Sequence, residues 1–309
     1  MSTPGSAFPG TRATGETLYR APSGRIFSDV STLDAEYDID GSVPDFEAVL
    51  ADFERRNVQA RANLRAHFAI PYGPTVDERL DVFPGPAGGP VVVFIHGGYW
   101  RSLNAEHFSF IATGLVDAGA TVVVTNYSLC PAVTIDEIVR QHRAAIAWCH
   151  RYIAEYGGDP GRLAVVGHSA GAHGVAMTLL SRWVENYGLP PEVIRGACVI
   201  SGLFDLRPLS FTSQQQQLRL TAETVLRNSP VLTPPDEAPP LLVTYGLEQT
   251  SEFLRQSTDF ASAWRTAGLS CDTWDRPGFN HFDELIALTS AGSDLVARVI
   301  GLTEGRLNP

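Results

Sequence analysis

Short apolar runs alternate with helical stretches from residue 91 to residue 300, and this rhythm limits the possible folds more than any other feature of the chain. Residues 91–95 (Val-Val-Val-Phe-Ile) are wholly apolar and rich in β-branched side chains. Such a run has no polar face, so as a strand it must be covered on both sides. Residues 121–125, 163–166, 197–201, 241–245 and 271–274 repeat the pattern. Between them, residues 108–118, 135–156, 170–186 and 253–267 read as helices, and 282–300 closes the chain as another. In residues 135–156 the apolar stripe is Ile138, Ala145, Ile146, Cys149 and Ile153, the spacing of one helical face. Strands and helices in strict alternation call for a mostly parallel sheet with helices on both faces, an α/β fold.

The 309 residues suffice for one large domain with a sizeable core. Residues 1–24, rich in Gly, Pro, Ser and Thr, read as a flexible tail, and 25–309 as a single domain. Asp45 is placed to cap a helix whose one face carries Phe46, Val49, Leu50, Phe53 and Asn57. Residues 75–83 look strand-like and end at the turn Pro84-Gly85-Pro86. Segment 203–240 breaks the rhythm with Gln214-Gln215-Gln216-Gln217 and a proline-rich stretch, and is too long for a plain loop. Residues 44–66 and 203–240 are expected to form a small helical cap over the C-terminal edge of the sheet.

All 23 basic residues are arginine. The absence of lysine excludes a pyridoxal Schiff base and a P-loop lysine. A formal net charge of -11 supplies no positive stripe for nucleic acid and disfavours anionic membrane surfaces. Cys130, Cys149, Cys198 and Cys271 are too far apart for a zinc ribbon or a CxxC pair, and read as buried free thiols in a reducing cytoplasm. No metal or cofactor is called for. The N-terminus lacks the apolar stretch of a signal peptide. A cytoplasmic protein acting on a small molecule is expected; the sequence does not specify whether it forms a homo-oligomer.

Gly167-His168-Ser169-Ala170-Gly171 follows the strand at 163–166 and opens an alanine-rich helix. A G-x-S-x-G in that context is a nucleophile elbow, whose turn thrusts the serine out at the sheet's edge. Ser169 needs a base, since a hydroxyl at its own pKa is a poor nucleophile. Of eight histidines, His281 stands in the loop after the last strand, where a sheet enzyme of this order places its base. His168 and His173 read as structural. His96-Gly97-Gly98-Tyr99-Trp100 ends the first buried strand. Gly97, Gly98 and Tyr99, together with Ala170, are expected to donate backbone N–H groups to a tetrahedral oxyanion. Tyr99 and Trp100 are candidate pocket walls. A carboxylate after strand 241–245 should orient the imidazole, and Glu248 and Glu252 qualify. Asp283 is a weaker choice because it is placed to cap the final helix.

The chain resembles the kynurenine formamidase (arylformamidase) branch of the α/β-hydrolases, near the hormone-sensitive-lipase group. The resemblance rests on His96-Gly97-Gly98-Tyr99-Trp100 (HGGxW), Gly167 to His173, Tyr127-Ser128-Leu129-Cys130-Pro131, Ser201 to Leu206, Glu252-Phe253-Leu254-Arg255-Gln256-Ser257 and Asn280-His281-Phe282. It covers residues 70–290. It implies an α/β-hydrolase fold and a serine hydrolase that converts N-formyl-L-kynurenine to L-kynurenine and formate, in tryptophan catabolism or a biosynthetic cluster. One position departs from the pattern: where the family has its triad acid, three residues after Gly246, this chain has Gln249. An amide cannot carry the charge, so Glu248 is the preferred third residue. Arg101, Arg207 and Arg255 are all candidates for a substrate carboxylate. Two other readings stay open: an esterase or amidase for another small acyl compound, and a binding protein that kept the fold with weakened catalysis.

Overall fold

A computed structural model describes residues 17–307. The ten strands are β1 (Tyr19–Arg20), β2 (Ile26–Phe27), β3 (His67–Pro71), β4 (Arg79–Phe83), β5 (Gly89–Ile95), β6 (Thr121–Thr125), β7 (Gly158–His168), β8 (Gly196–Ile200), β9 (Leu241–Gly246) and β10 (Cys271–Arg276). The first two form a small antiparallel ribbon. The other eight make one sheet in the order β10-β9-β8-β7-β5-β6-β4-β3. Strands β5 to β10 pair in parallel, while β3 and β4 join antiparallel at one edge.

The apolar runs are buried on both faces, as their composition requires. Val91, Val93 and Ile95 of β5 join one core with Val165, Val199 and Val243. Val92 and Phe94, pointing the opposite way, join a second core with Val122, Val124, Val166 and Ile200. Helices Ile135–Tyr152, Ala170–Leu179 and Ser251–Thr266 cover the first face, and Ala112–Asp117 and Asp294–Thr303 the second. The C-terminal ends of the parallel strands therefore gather at one edge, where the side chains expected to be functional emerge.

Several expectations are corrected in detail. The stretch 170–186 is two helices, Ala170–Leu179 and Trp183–Tyr187, because Ser181 turns its N–H to the Thr178 carbonyl and its hydroxyl to Arg143. The stretch 282–300 is likewise split into Asp283–Ala287 and Asp294–Thr303, the second capped by Ser293. The tail expected over residues 1–24 lies outside the described residues up to residue 16. Beyond that, Tyr19 is buried against Phe27 and belongs to the core. Helix Val30–Tyr37 and strand β3 carry no strong pattern in the sequence and were not expected.

Of the two segments expected to form a cap, one lines the cavity described below. Helix Phe46–Asn63 starts where Asp45 accepts the Ala48 N–H at 2.9 Å, and its apolar face roofs the cavity described below. Segment 203–240 forms short helices (Pro208–Phe211, Gln215–Leu218, Ala222–Arg227 and Pro230–Leu232), but none of its residues lines that cavity. Its polar groups bond elsewhere: Ser229 accepts the Leu206 N–H, and the Asn228 carbonyl faces His173.

Candidate active site

Ser169 sits between β7 and the helix Ala170–Leu179 with φ +56° and ψ -120°. A non-glycine residue there carries strain on the order of 1–3 kcal/mol, which the surrounding packing must offset. The Ser169 N–H bonds to the Ile200 carbonyl of β8 at 2.9 Å, and the His173 N–H bonds back to the Ser169 carbonyl at 3.2 Å. Gly171 makes the turn feasible: a β-carbon there would collide with the Ile95 carbonyl oxygen of β5. Tyr99, Trp100 and Ser201 share the positive φ and lie at the ends of β5 and β8, so backbone strain concentrates at this edge of the sheet.

The loop after β5 is fixed through its carbonyls. The Tyr127 hydroxyl donates to the His96 carbonyl at 2.8 Å. His96 Nδ1 lies 2.7 Å from the Gly97 carbonyl, and since a carbonyl only accepts, that nitrogen carries the proton. The Gly98 carbonyl accepts from the N–H groups of Arg101 and Ser102 and from the Ser102 hydroxyl. Gly98 takes φ +110°, and a β-carbon would meet the Ser102 carbonyl. Among the described residues, the N–H groups of Gly97, Gly98, Tyr99 and Ala170 have no hydrogen-bond partner. The loop thus turns its acceptors away and leaves its donors free beside Ser169.

His281 lies after β10 and is 1% exposed, as is Ser169. His168 Nε2 lies 2.8 Å from the His281 carbonyl, to which it must donate. The two rings are 4.6 Å apart, and Phe253 packs edge-on against His281 at 4.9 Å. Burial foremost, then the neighbouring His168, drives the His281 imidazole well below its usual pKa. Burial brings His168 down to about 4. Ser169 Oγ and His281 Nε2 are both buried with no hydrogen-bond partner among the described residues, so they do not bond each other here. Both residues line one cavity of about 450 Å³ with Gly97, Gly98 and Tyr99. Hydrogen bonds of this kind are often loose without substrate and tighten when it binds.

The third residue is not the expected one. His281 Nδ1 faces Gln249 Oε1 at 2.8 Å. Glu248 is corrected: its N–H is held by the Phe279 carbonyl at 3.0 Å and its side chain is exposed. Residues 247–249 form a bend in which Glu248 is exposed and Gln249, half-buried, turns to His281. Glu252 is buried elsewhere, accepting from the Tyr37 hydroxyl at 2.8 Å and paired with Arg255. Asp283 accepts the Asn280 N–H at 2.7 Å and so braces the histidine loop. Trp100 is also corrected. It is fully buried, does not line the cavity, and packs edge-on against His173 at 5.1 Å. Tyr99 does line the cavity and ties its loop to the N-terminal helix by donating to the Tyr37 carbonyl at 2.6 Å.

The cavity's remaining walls are mostly apolar: Phe46, Leu50, Phe53, Phe108, Phe282 and Leu285. Its volume falls within the roughly 300–1,000 Å³ typical of small-molecule sites. Arg101 is the one arginine lining it among the described residues, and Asp40 and Glu54 are acids that also line it. Sequence reasoning missed Asp40 and the bridging role of His168. The first lies in a segment without a pattern, and the second depends on a contact between residues far apart in the chain.

A family model described as alpha/beta hydrolase fold matches residues 92–281, from β5 to the candidate base. Kynurenine formamidase of Danio rerio is 33% identical over 254 residues, 79% of this chain and 85% of that protein. Kynurenine formamidase of Salmo salar is 34% identical over 234 residues, 73% of this chain and 78% of that protein. An esterase of Pyrobaculum calidifontis superposes with a TM-score of 0.67 over 84% of this chain and 93% of that one; at 20% identity it shows the fold alone. The chain is therefore an arylformamidase-like hydrolase acting on small acyl groups, and it belongs to the kynurenine formamidase family of α/β-hydrolases.

Proposed function

We propose that the protein is a serine hydrolase that removes a formyl group from an aryl amine, with N-formyl-L-kynurenine as substrate. The observation that carries this reading is the pairing of two unsatisfied buried atoms, Ser169 Oγ and His281 Nε2, in one cavity beside four unpaired backbone donors. Other buried polar atoms also lack partners, but among the described residues only these two belong to side chains that line the cavity, where a ligand can meet them. The relatives named kynurenine formamidase support the substrate.

In the proposed reaction, His281 Nε2 takes the hydroxyl proton as Ser169 Oγ bonds to the formyl carbon. The carbonyl oxygen becomes an oxyanion and meets the N–H groups of Gly98, Tyr99 and Ala170, with Gly97 beside them. The C–N bond then breaks, and the imidazolium returns its proton to the leaving aniline nitrogen. Water, deprotonated by the same imidazole, attacks the formyl ester and releases formate and free Ser169.

Arg101 and Asp40 suit the amino-acid end of this substrate. Arg101 donates its Nε to Gln214 Oε1 at 2.9 Å and has no ion pair among the described residues. Arg207 and Arg255, the other candidates, are committed to Asp205 and Glu252 at 2.8 Å each and do not line the cavity. We therefore assign the substrate carboxylate to Arg101 and its ammonium group to Asp40.

The test compares kcat/KM for N-formyl-L-kynurenine and p-nitrophenyl acetate, with Ser169→Ala as control. Formamide cleavage preferred over the ester, and lost in Ser169→Ala, supports the reading. Ester cleavage with no kynurenine formed would make the protein a general esterase.

A further inference from the structure

We propose that Gln249 is the positioning residue of His281, and that it holds the imidazole in the base-competent tautomer with a neutral amide where a charge would be expected. This rests on the reading of Ser169 and His281 as nucleophile and base. It concerns a group that touches neither substrate nor reacting atoms.

The orientation of the amide follows from its neighbours. Gln249 Nε2 lies 2.9 Å from the Gly246 carbonyl and 2.9 Å from Ser201 Oγ. The Gly246 carbonyl has lone pairs only, so the amide must present its NH₂ there. Oε1 is then forced toward His281 Nδ1, 2.8 Å away. An amide oxygen only accepts, so Nδ1 must carry the ring proton and Nε2 keeps its lone pair. That lone pair is what a base needs to receive the proton of Ser169. A flipped amide would set two oxygens against each other at Gly246 and would turn an NH₂ to the ring, which would make Nδ1 the acceptor and put the proton on Nε2, the wrong tautomer for a base.

The loop is laced so that Gln249 cannot easily exchange places with Glu248. Leu247 donates its N–H to the Arg276 carbonyl at the end of β10 and Glu248 to the Phe279 carbonyl just after it, each at 3.0 Å, which binds the loop after β9 to the end of β10 and its loop. Among the described residues, the groups packed around His281 supply no counter-charge. His168 faces it from the end of β7, Phe253 from helix Ser251–Thr266, and Phe282 from its own loop. Glu252 is engaged by Tyr37 and Arg255, Asp283 by the Asn280 N–H, and Glu248 is exposed. Asp40 and Glu54 line the same cavity but make no hydrogen bond to the ring among the described residues.

An amide in the acid's place costs about 10⁴ in turnover where it selects the wrong tautomer. Here the tautomer is right and only the charge is missing. The consequence is a base that stays neutral, and so usable, to lower pH than a carboxylate-paired histidine, with a less stabilised imidazolium as the counterpart.

The experiment measures kcat and KM against pH for the wild type, Gln249→Leu and Gln249→Glu on p-nitrophenyl acetate, beside the ¹⁵N NMR spectrum of the His281 ring in the wild type. Expected are a wild-type acid limb below the ordinary imidazole range, and a fall of about 10²-fold or more in kcat for Gln249→Leu with KM changed less than about threefold. Gln249→Glu is expected to move the acid limb up by one pH unit or more. The spectrum should show Nδ1 protonated and Nε2 bare at pH 7. Wild-type kcat and pH profile in Gln249→Leu, or a proton on Nε2, would overturn the proposal. If Gln249→Leu does not fold, the spectrum of the unmodified protein decides. Turnover that survives Ser169→Ala would remove the functional reading itself, whereas loss in Ser169→Ala with an indifferent Gln249→Leu would remove only this inference.

Discussion

His168 donates its Nε2–H to the main-chain carbonyl of His281 at 2.8 Å, so the residue just before the elbow serine also holds the loop of the candidate base. This bond ties the two halves of the proposed proton relay to each other, from β7 to the loop after β10. His168→Ala leaves a buried carbonyl unpaired, which costs about 1–3 kcal/mol of stability. It also releases the imidazole from its position, and a displacement near 1 Å is worth about 10²-fold in rate. The expected outcome is a lower melting temperature and a kcat reduced by one to two orders of magnitude. An unchanged kcat in a folded His168→Ala protein would show that the bond does not position the base.

The buried histidines predict a specific acid sensitivity. Burial brings His96, His168 and His173 down to about 4, against 6.5 in an unfolded chain. Each group binds its proton more weakly in the folded state, so their contribution to stability is complete above pH 6.5. It is lost as pH falls from 6.5 to about 4, and falls no further below that. Glu284, raised to about 6 by burial, acts in the opposite sense between 4.5 and 6, as do Asp40 and Asp81, which burial raises, at more acid pH; His142 and His281, which burial lowers, add to the loss. Denaturant midpoints at pH 7.5, 6.5, 5.5 and 4.5 should therefore decline, with the loss beginning below 6.5. Equal midpoints at pH 7.5 and 4.5 would contradict the burial of these rings as neutral groups.

Gly98 tests the oxyanion loop. Its φ of +110° and the nearby Ser102 carbonyl leave no room for a side chain. Gly98→Ala must shift the backbone that presents the N–H groups of Gly98 and Tyr99. Loss of one such donor costs about 10²–10³ in kcat in other acyl-transfer enzymes, and a fall of that size is expected here. A Gly98→Ala protein with wild-type kcat would place the oxyanion elsewhere.

Arg101→Ala addresses substrate class. If the guanidinium binds a carboxylate, its removal costs about 1.5–3 kcal/mol of binding, or roughly 10–100-fold in KM. The increase should be far larger for N-formyl-L-kynurenine than for p-nitrophenyl acetate, which has no carboxylate. Equal effects on the two substrates would argue that Arg101 shapes the cavity rather than recognising charge.

Much of this organisation was legible in the sequence because it is local. The valine-rich runs of β5 and β6 declare strands buried on both faces, and the positions of His96-Gly97-Gly98 and Gly167-His168-Ser169 relative to them locate the site. What failed depends on contacts between distant residues. The third partner of the imidazole is chosen by hydrogen bonds from Leu247 and Glu248 to the end of β10 and the loop after it, which reverse the preference that charge alone suggests. Trp100 turns into the core because its own φ of +56° swings it away from the cavity toward His173. Helix Val30–Tyr37 has no strong pattern, since its place is set by Tyr37, which bonds to Tyr99 and Glu252.

Covalent titration tests the central claim most directly. A fluorophosphonate, with the modified peptide identified by mass spectrometry, should label Ser169 once per chain. Labelling should vanish in Ser169→Ala and slow by about 10²-fold or more in His281→Ala, because the hydroxyl then lacks its base. A label on another residue, or an unchanged rate in His281→Ala, would contradict the assignment of these two side chains as nucleophile and base.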